Sequence, residues 1–432
     1  MNVRTKLDSD LIPTAGHVVR HLALHLQAPA RRSTERPDLD LSLVVDRSGS
    51  MCGRPLEAAR ESALLVAGLL DPNDRLAVVD FGSTAFLTLP PTRMTPRGRA
   101  YAERAIAGIE CNGCTDLHDG WRLGVEAFEC LERETGAGRR SRRVVVLSDG
   151  RGNTGVTEPT LLARAAADAF EAGVVTSSVG FGERYSTEQL EALALHGGGR
   201  LLHASHPEQI ADRLTREFEA ATDTAADRIV VRLWLPPGLR ATCLNSCPRR
   251  SDGGWVAGAL LAGSTRDLVF RLEGRLGAVG DTTPVVQWAV RYEDPTEPGE
   301  PVRLAGTVDL RLTDADDPRL EDLDPEVARI VARAERFQAC REAFAHYERG
   351  DRDEAGRVLA HRAERLREWS DHPGVRGEAG RIYACQRMFL REEIDPLEVK
   401  ELRAEAIAEQ DDDSADGETD SEATTATDQA EA

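Results

Sequence analysis

Leu41-Ser42-Leu43-Val44-Val45-Asp46-Arg47-Ser48-Gly49-Ser50 is the stretch whose reading decides the fold. Its first five residues form a short apolar run of the kind that becomes a parallel strand buried on both faces. Asp46 ends that run, and the loop beyond it adds the hydroxyls of Ser48 and Ser50. In open α/β sheets, ligands bind at the carboxyl ends of the strands. One carboxylate and two hydroxyls so close in sequence make a set of hard oxygen donors, suited to a small divalent cation such as Mg²⁺ or Mn²⁺.

Two further segments carry oxygens to positions that such a sheet would bring alongside. Val144-Val145-Val146-Leu147-Ser148-Asp149-Gly150 is a second apolar run ending in an acid and a glycine, and Asn112-Gly113-Cys114-Thr115-Asp116-Leu117 is a loop ahead of an amphipathic stretch over 117–131. Singly, Asp, Ser and Thr also serve as turn formers and helix N-caps. Asp46, Ser48, Ser50, Thr115 and Asp149 in this order, each where a strand gives way to a loop, resemble the complete metal-ion-dependent adhesion site (MIDAS) of von Willebrand factor type A (VWA) domains.

That resemblance implies that Ser48 and Ser50 bind the metal through their hydroxyls, Thr115 directly or through water, and that Asp46 and Asp149 hold coordinated waters. Donor types alone do not separate Mg²⁺ from Mn²⁺ or Ca²⁺. Hydroxyl ligands leave a cation under-neutralised, and the resemblance implies that a partner protein's Asp or Glu carboxylate completes the coordination. Bacterial intracellular members of the family often work beside AAA+ ATPases, which makes such an ATPase a candidate partner. The chain is also similar to bacterial proteins labelled calcium-activated chloride channel homologues, a label that does not imply transport where no apolar stretch is long enough to span a bilayer.

The pattern around the motif predicts an α/β fold, a Rossmann-like doubly wound sheet over residues 38–225. Helices are expected over 55–70, 98–109, 159–171, 187–195 and 207–221, strands over 76–81, 174–179 and 200–203, and an edge strand over 85–89 that Pro90-Pro91 would end. From 226 to 314, short β-like runs separated by turns such as Pro236-Pro237-Gly238 predict an antiparallel β-sandwich. Residues 322–409 read as a helical C-terminal segment, and 410–432 as a disordered acidic tail. In residues 1–37, the alternation over 17–27 predicts a strand, followed by a linker over 29–37. That strand is expected to join the sandwich, so that the α/β domain is inserted into it. An edge strand on the α/β domain or a flexible extension is the alternative.

The formal net charge is −20, of which nine negative charges lie between Asp411 and Glu431, a stretch without Lys or Arg. The remainder is still acidic, which argues against nucleic acid as a partner. No apolar stretch is long enough to span a bilayer, and residues 1–11 lack the apolar core of a signal peptide, so a cytoplasmic location is expected. Eight cysteines, widely scattered, fit free thiols better than a disulfide scaffold. Cys111 and Cys114 form a C-x-x-C near Thr115, and Cys52 follows the first donor loop. Without a second pair of ligands they make no zinc site. They read as ordinary thiols, with a redox-sensitive pair as the alternative.

No enzyme is expected, and no catalytic or cofactor-binding residues are assigned. There is no P-loop or G-x-G-x-x-G motif, and Ser48 or Ser50 would need a base to act as a nucleophile. His118 is the nearest in sequence and reads as a helix-start residue; His203 and His206 read as surface positions. A metal-dependent hydrolase acting on phosphoesters is the alternative to a non-enzymatic module that binds a protein through its metal.

Overall fold

The structure, a computed structural model, describes residues 1–30, 36–129, 140–276, 284–296, 300–391 and 395–411. Outside these lie part of the linker expected over 29–37, residues 130–139 with the end of the stretch over 117–131, residues 277–283 and 297–299 of the expected sandwich, residues 392–394 of the expected helical segment, and the acidic tail from 412 onward.

The strand Leu39–Asp46 is buried along its whole length, as a strand with helices on both faces must be. It pairs in parallel with Arg75–Phe81 on one side and Ser141–Ser148 on the other. The six-stranded sheet runs Ala85–Arg93, Arg75–Phe81, Leu39–Asp46, Ser141–Ser148, Val174–Phe181, Gly198–Ala204. Sequence order therefore reverses between Leu39–Asp46 and Ser141–Ser148, and the first edge strand is antiparallel. That reversal is the switch point where doubly wound sheets open a ligand crevice.

Alternate residues of each strand feed two cores. Leu41, Leu43, Val45, Val78 and Val145 pack with Leu56, Ala63 and Val66 of helix Arg54–Leu69, Ile106 of Pro96–Ala107 and Leu214 of Ile210–Asp223. Val44, Val79, Phe81, Val144 and Val146 pack on the other face with Trp121 of Leu117–Glu126, Leu162 of Pro159–Glu171 and Leu190 of Thr187–His196. Pro90 and Pro91 do not end the edge strand, which continues to Arg93. With a neighbour on one side only, an edge strand tolerates residues that cannot donate to a ladder.

Two four-stranded antiparallel sheets make the sandwich: Asn2–Leu7, Val18–Gln27, Thr265–Gly274, Leu239–Cys243, and Trp255–Leu261, Thr224–Trp234, Val285–Glu293, Val302–Asp309. Val18–Gln27 pairs with Thr265–Gly274 residue for residue, from Thr265 opposite Gln27 to Gly274 opposite Val18. Leu22, Leu24 and Leu26 enter one core with Val231, Phe270, Trp288 and Val290. The α/β unit thus emerges between two stretches of one sandwich. Helix Ile210–Asp223 passes into strand Thr224–Trp234 without a linker.

Helices Pro325–Glu348, Arg352–Trp369, Pro373–Phe389 and Pro396–Asp411 follow. Asp324 caps the first by accepting from the amides of Glu326 and Val327, which satisfies donors that a helix start leaves unpaired. Val327, Val331 and Ala334 of that helix seat against Ala23, Leu244 and Val269 of the sandwich. The last helix instead grips the α/β unit: Lys400 Nζ donates to the carbonyls of Glu183 and Tyr185, at 2.7 and 3.0 Å. Among the described residues no helix is long and apolar enough to cross a membrane.

Candidate metal centre

The five oxygen-bearing residues converge at the switch point. Asp46 is the last residue of its strand and fully buried. Its Oδ1 accepts from the Ser48 amide at 2.8 Å, turning the chain so that the loop folds back over the sheet edge. Its Oδ2 accepts from Ser148 Oγ at 2.5 Å, which ties it to the neighbouring strand. The Ser48 and Ser50 hydroxyl oxygens lie 3.2 Å apart, and Ser50 Oγ donates to Asp149 Oδ1 at 2.7 Å.

Thr115 comes from the third loop. Its amide donates to Asn153 Oδ1 at 3.1 Å, and its carbonyl accepts from the Asn153 amide at 3.0 Å, so the loop after Asp149 clamps it. The first and third loops are joined by backbone bonds, Asn112 N to Arg47 O at 2.7 Å and Gly49 N to Gly113 O at 3.1 Å. Asp116 caps helix Leu117–Glu126 by accepting from the Asp119 amide.

Gly150 reports how tightly these oxygens gather. A Cβ built there would lie 3.5 Å from Ser50 Oγ, 3.7 Å from Thr115 Oγ1 and 3.9 Å from Asp46 Oδ2. Three oxygens, from the strand end and loop at Asp46–Ser50 and from the Thr115 loop, thus face one small space that glycine leaves open. All are hard donors, the chemistry that Mg²⁺, Mn²⁺ and Ca²⁺ accept. Among the described residues no three His, Cys, Asp or Glu side chains gather as a ligand set. The side-chain oxygens that border this space are hydroxyls beside a carboxylate.

Two carboxylates face this space, and burial acts on both. It pushes the Asp46 carboxyl up to about 6, against the hydrogen bonds from Ser148 and Ser48 and with the Asp149 charge adding to the rise. It also raises Asp149, against the Ser50 hydrogen bond and the nearby Arg184 charge. A cation placed between them would favour the charged form of each.

Ser148 and Asn153 hold the donors and were not singled out by sequence. Ser148 precedes Asp149 at the strand end, and Asn153 follows it by four residues. Both hints are local, but which partner each hydrogen-bonds is not.

The cysteine expectation is corrected: Cys52 and Cys111 form a disulfide, and Cys114 is a free, exposed thiol. Sequence proximity favoured Cys111 with Cys114, whereas the fold brings the first and third loops together. His203 is corrected too. It is buried, with Nδ1 3.0 Å from Tyr185 Oη and Nε2 3.3 Å from Ser205 Oγ. Ser205 itself donates to Glu401 of the last helix, which covers this strand end. His206 is exposed. His118 is half-buried with its ring 6.1 Å from that of Trp121, and among the described residues no histidine hydrogen-bonds Ser48 or Ser50. A cleft of about 950 Å³ opens where helix Thr187–His196, the turn after Cys243 and helix Pro325–Glu348 meet; Arg151 is on its rim, and none of the five donor residues lines it.

With this geometry in view, residues 41–151 match the family model of the von Willebrand factor type A domain. The chain is 26% identical over 312 residues to an uncharacterized protein of Synechocystis sp., covering 71% of this chain and 69% of that protein. It is 27% identical over 203 residues to the inter-alpha-trypsin inhibitor heavy chain H4 of Bos taurus, covering 46% of this chain and 22% of that much longer one. In structure it resembles a von Willebrand factor type A protein from Catenulispora acidiphila, with a TM-score of 0.70, 19% identity and coverage of 94% and 96% of the two chains. The ArnB paralog VWA2 from Sulfolobus acidocaldarius follows with a TM-score of 0.62, 17% identity and coverage of 95% and 99%. The likeness spans the α/β unit, the sandwich and the helices together, and the fold is VWA-like.

Proposed function

We propose that the chain is a protein-interaction module whose five-residue site holds a divalent cation, Mg²⁺ by preference and otherwise Mn²⁺ or Ca²⁺, and through it an acidic side chain of a partner protein. The observation that carries this reading is the gathering of Ser50, Thr115 and Asp46 oxygens within 3.5–3.9 Å of one point beside Gly150. Ser48, Ser50 and Thr115 would offer hydroxyls to the cation, while Asp46 and Asp149 hold its waters. When bound, the cation supplies a positive point to which an Asp or Glu carboxylate can be drawn. Asp46 is oriented by Ser148 and the Ser48 amide, and Asp149 by Ser50, so the loops are arranged before any ligand arrives.

A partner of the AAA+ ATPase class is proposed from the resemblance, and the cytoplasm as the place of action. In that compartment the Cys52–Cys111 bridge would be exchangeable rather than permanent. Phosphoester hydrolysis has less support: the carboxylate that accepts from a serine hydroxyl here, Asp149 at 2.7 Å from Ser50 Oγ, is one of the residues proposed to hold the cation's waters, and among the described residues no histidine hydrogen-bonds Ser48 or Ser50.

Calorimetric titration with Mg²⁺ and Mn²⁺ tests the reading. Ser48→Ala should weaken binding by about tenfold or more while leaving the metal-free fold intact. Unchanged binding in Ser48→Ala and in Asp149→Ala would remove the site. Phosphoester turnover that vanishes with Ser50→Ala would favour the hydrolase.

A further inference from the structure

Three sulfurs lie on the two loops that carry most of the donors, and the proposed function uses none of them. Cys52 stands two residues after Ser50, Cys111 four before Thr115, and the disulfide between them spans 59 residues of sequence with its Cα atoms 5.4 Å apart. It is the covalent tie between the first and third loops, beside the backbone bonds from Asn112 to Arg47 and from Gly49 to Gly113. Cys114, adjacent to Thr115, is a free thiol on the same surface. Cys52 is exposed and Cys111 half-buried, so the bridge is open to attack from solvent.

Cys114 follows Cys111 by three residues on the same loop. Gly113 has a φ of +87°, and the chain bends there between the two cysteines of the third loop. A side chain at Gly113 would meet Ser83 Oγ at 2.6 Å, so the bend lies pressed against Ser83. The Cys114 amide donates to the same Ser83 Oγ at 2.9 Å. Two intervening residues are the spacing at which one loop can close a disulfide on itself, as C-x-x-C motifs do.

We propose that Cys52, Cys111 and Cys114 form an intramolecular thiol–disulfide exchange site that sets the affinity of the neighbouring cation site. The Cys114 thiolate attacks Cys111 Sγ. A Cys111–Cys114 bond forms, the Cys52–Cys111 bond breaks, and its electron pair leaves on Cys52 Sγ, which takes up the proton that Cys114 gave up. Nothing is oxidised or reduced overall, so the step needs no co-reactant. In one isomer the Ser48–Ser50 loop is tied covalently to the Thr115 loop. In the other the tie lies within the Thr115 loop, and only hydrogen bonds hold the two together. Donors from both loops must be held in place to share one cation, so the second isomer binds it more weakly. The exchange stands on the sulfurs alone; its effect on the cation rests on the function proposed above.

The test uses the full chain, equilibrated in a glutathione redox buffer, alkylated at free thiols and mapped by mass spectrometry of a non-reducing digest. Both linkages are expected, with Cys114 alkylated in the first isomer and Cys52 in the second. Cys114→Ser should keep only the Cys52–Cys111 linkage, and Cys52→Ser only the Cys111–Cys114 linkage. By calorimetry, Cys52→Ser should bind Mg²⁺ about tenfold more weakly than Cys114→Ser. A wild-type map that lacks the Cys111–Cys114 linkage at equilibrium overturns the exchange, and does so without relying on any variant to fold. Equal Mg²⁺ affinity in two folded variants overturns the control of the site. If both linkages appear and no protein binds Mg²⁺, the cation reading falls and the exchange remains.

Discussion

Gly150→Ala separates the cation site from the fold. The added methyl would sit 3.5, 3.7 and 3.9 Å from Ser50 Oγ, Thr115 Oγ1 and Asp46 Oδ2, ordinary contact distances that demand no movement. Gly150 is not among the glycines with positive φ, so alanine is allowed by the backbone. Stability without metal should hold level or rise by about 0.4–1 kcal/mol, through a less varied unfolded chain. The cation site should fare differently. A Mg²⁺ ion held by the Ser50 and Thr115 hydroxyls at about 2.0–2.1 Å, with Asp46 holding one of its waters, would occupy the space that these three oxygens border. The methyl group, 3.5–3.9 Å from the same oxygens, would stand over that space and take the room of a coordinated water. Disturbing the immediate surroundings of a bound metal costs about 10–100-fold in affinity, and the lower figure is already about 1.4 kcal/mol. At free Mg²⁺ of about 100 times the wild-type Kd, the wild-type chain should gain about 2.7 kcal/mol of stability and the variant about 1.4 kcal/mol or less. Urea unfolding with and without Mg²⁺ measures both quantities in one experiment. Equal Mg²⁺ stabilisation of the two proteins would refute the assignment of this space to a cation. A large loss of metal-free stability would refute the reading of the methyl contacts.

Two further expectations concern the parts around the site. Burial, with the Lys400 charge assisting, holds His203 down at about 4, against about 6.5 when unfolded. The unfolded chain therefore takes up this proton first as the pH falls, and stability is lost from about pH 6.5 down to about pH 4, by roughly 3 kcal/mol in all. His203→Gln should flatten that part of the stability–pH curve in urea unfolding at pH 7 and pH 4.5; parallel curves would show that His203 does not cause the loss. Leu24→Ala empties a fully buried position in the sandwich core and should cost about 2–5 kcal/mol by urea unfolding, whereas a cost below about 0.5 kcal/mol would mean that the N-terminal strand is peripheral.

The donor loop was legible because its information is local. A strand covered by helices on both faces has to be apolar throughout, so the run from Leu41 to Val45 announces itself, and Ser48 and Ser50 follow within five residues of its end. The antiparallel texture after residue 226 was equally open, through its turn residues. Pro90 and Pro91 misled because local rules end a strand there, while a strand with a free edge need not obey them. Strand Asn2–Leu7 was not foreseen, being short and bearing charged residues on a partly exposed outer edge. His203 read as a surface residue because the helix that covers it begins almost two hundred residues later, at Pro396.

By itself, then, the sequence determined the kinds of element, their order, and the residue types offered at each strand end. Each of these depends on patterns only a few residues long. Tertiary structure decided what meets what. Strand order places Leu39–Asp46 beside Ser141–Ser148, and only that adjacency lets Ser148 hold Asp46 and Ser50 hold Asp149. The same closure sets Thr115 against Asn153 and joins Cys52 to Cys111 rather than leaving Cys111 with Cys114. Contacts between residues tens of positions apart are chosen by how whole strands and helices pack, and no short run of residues contains that choice.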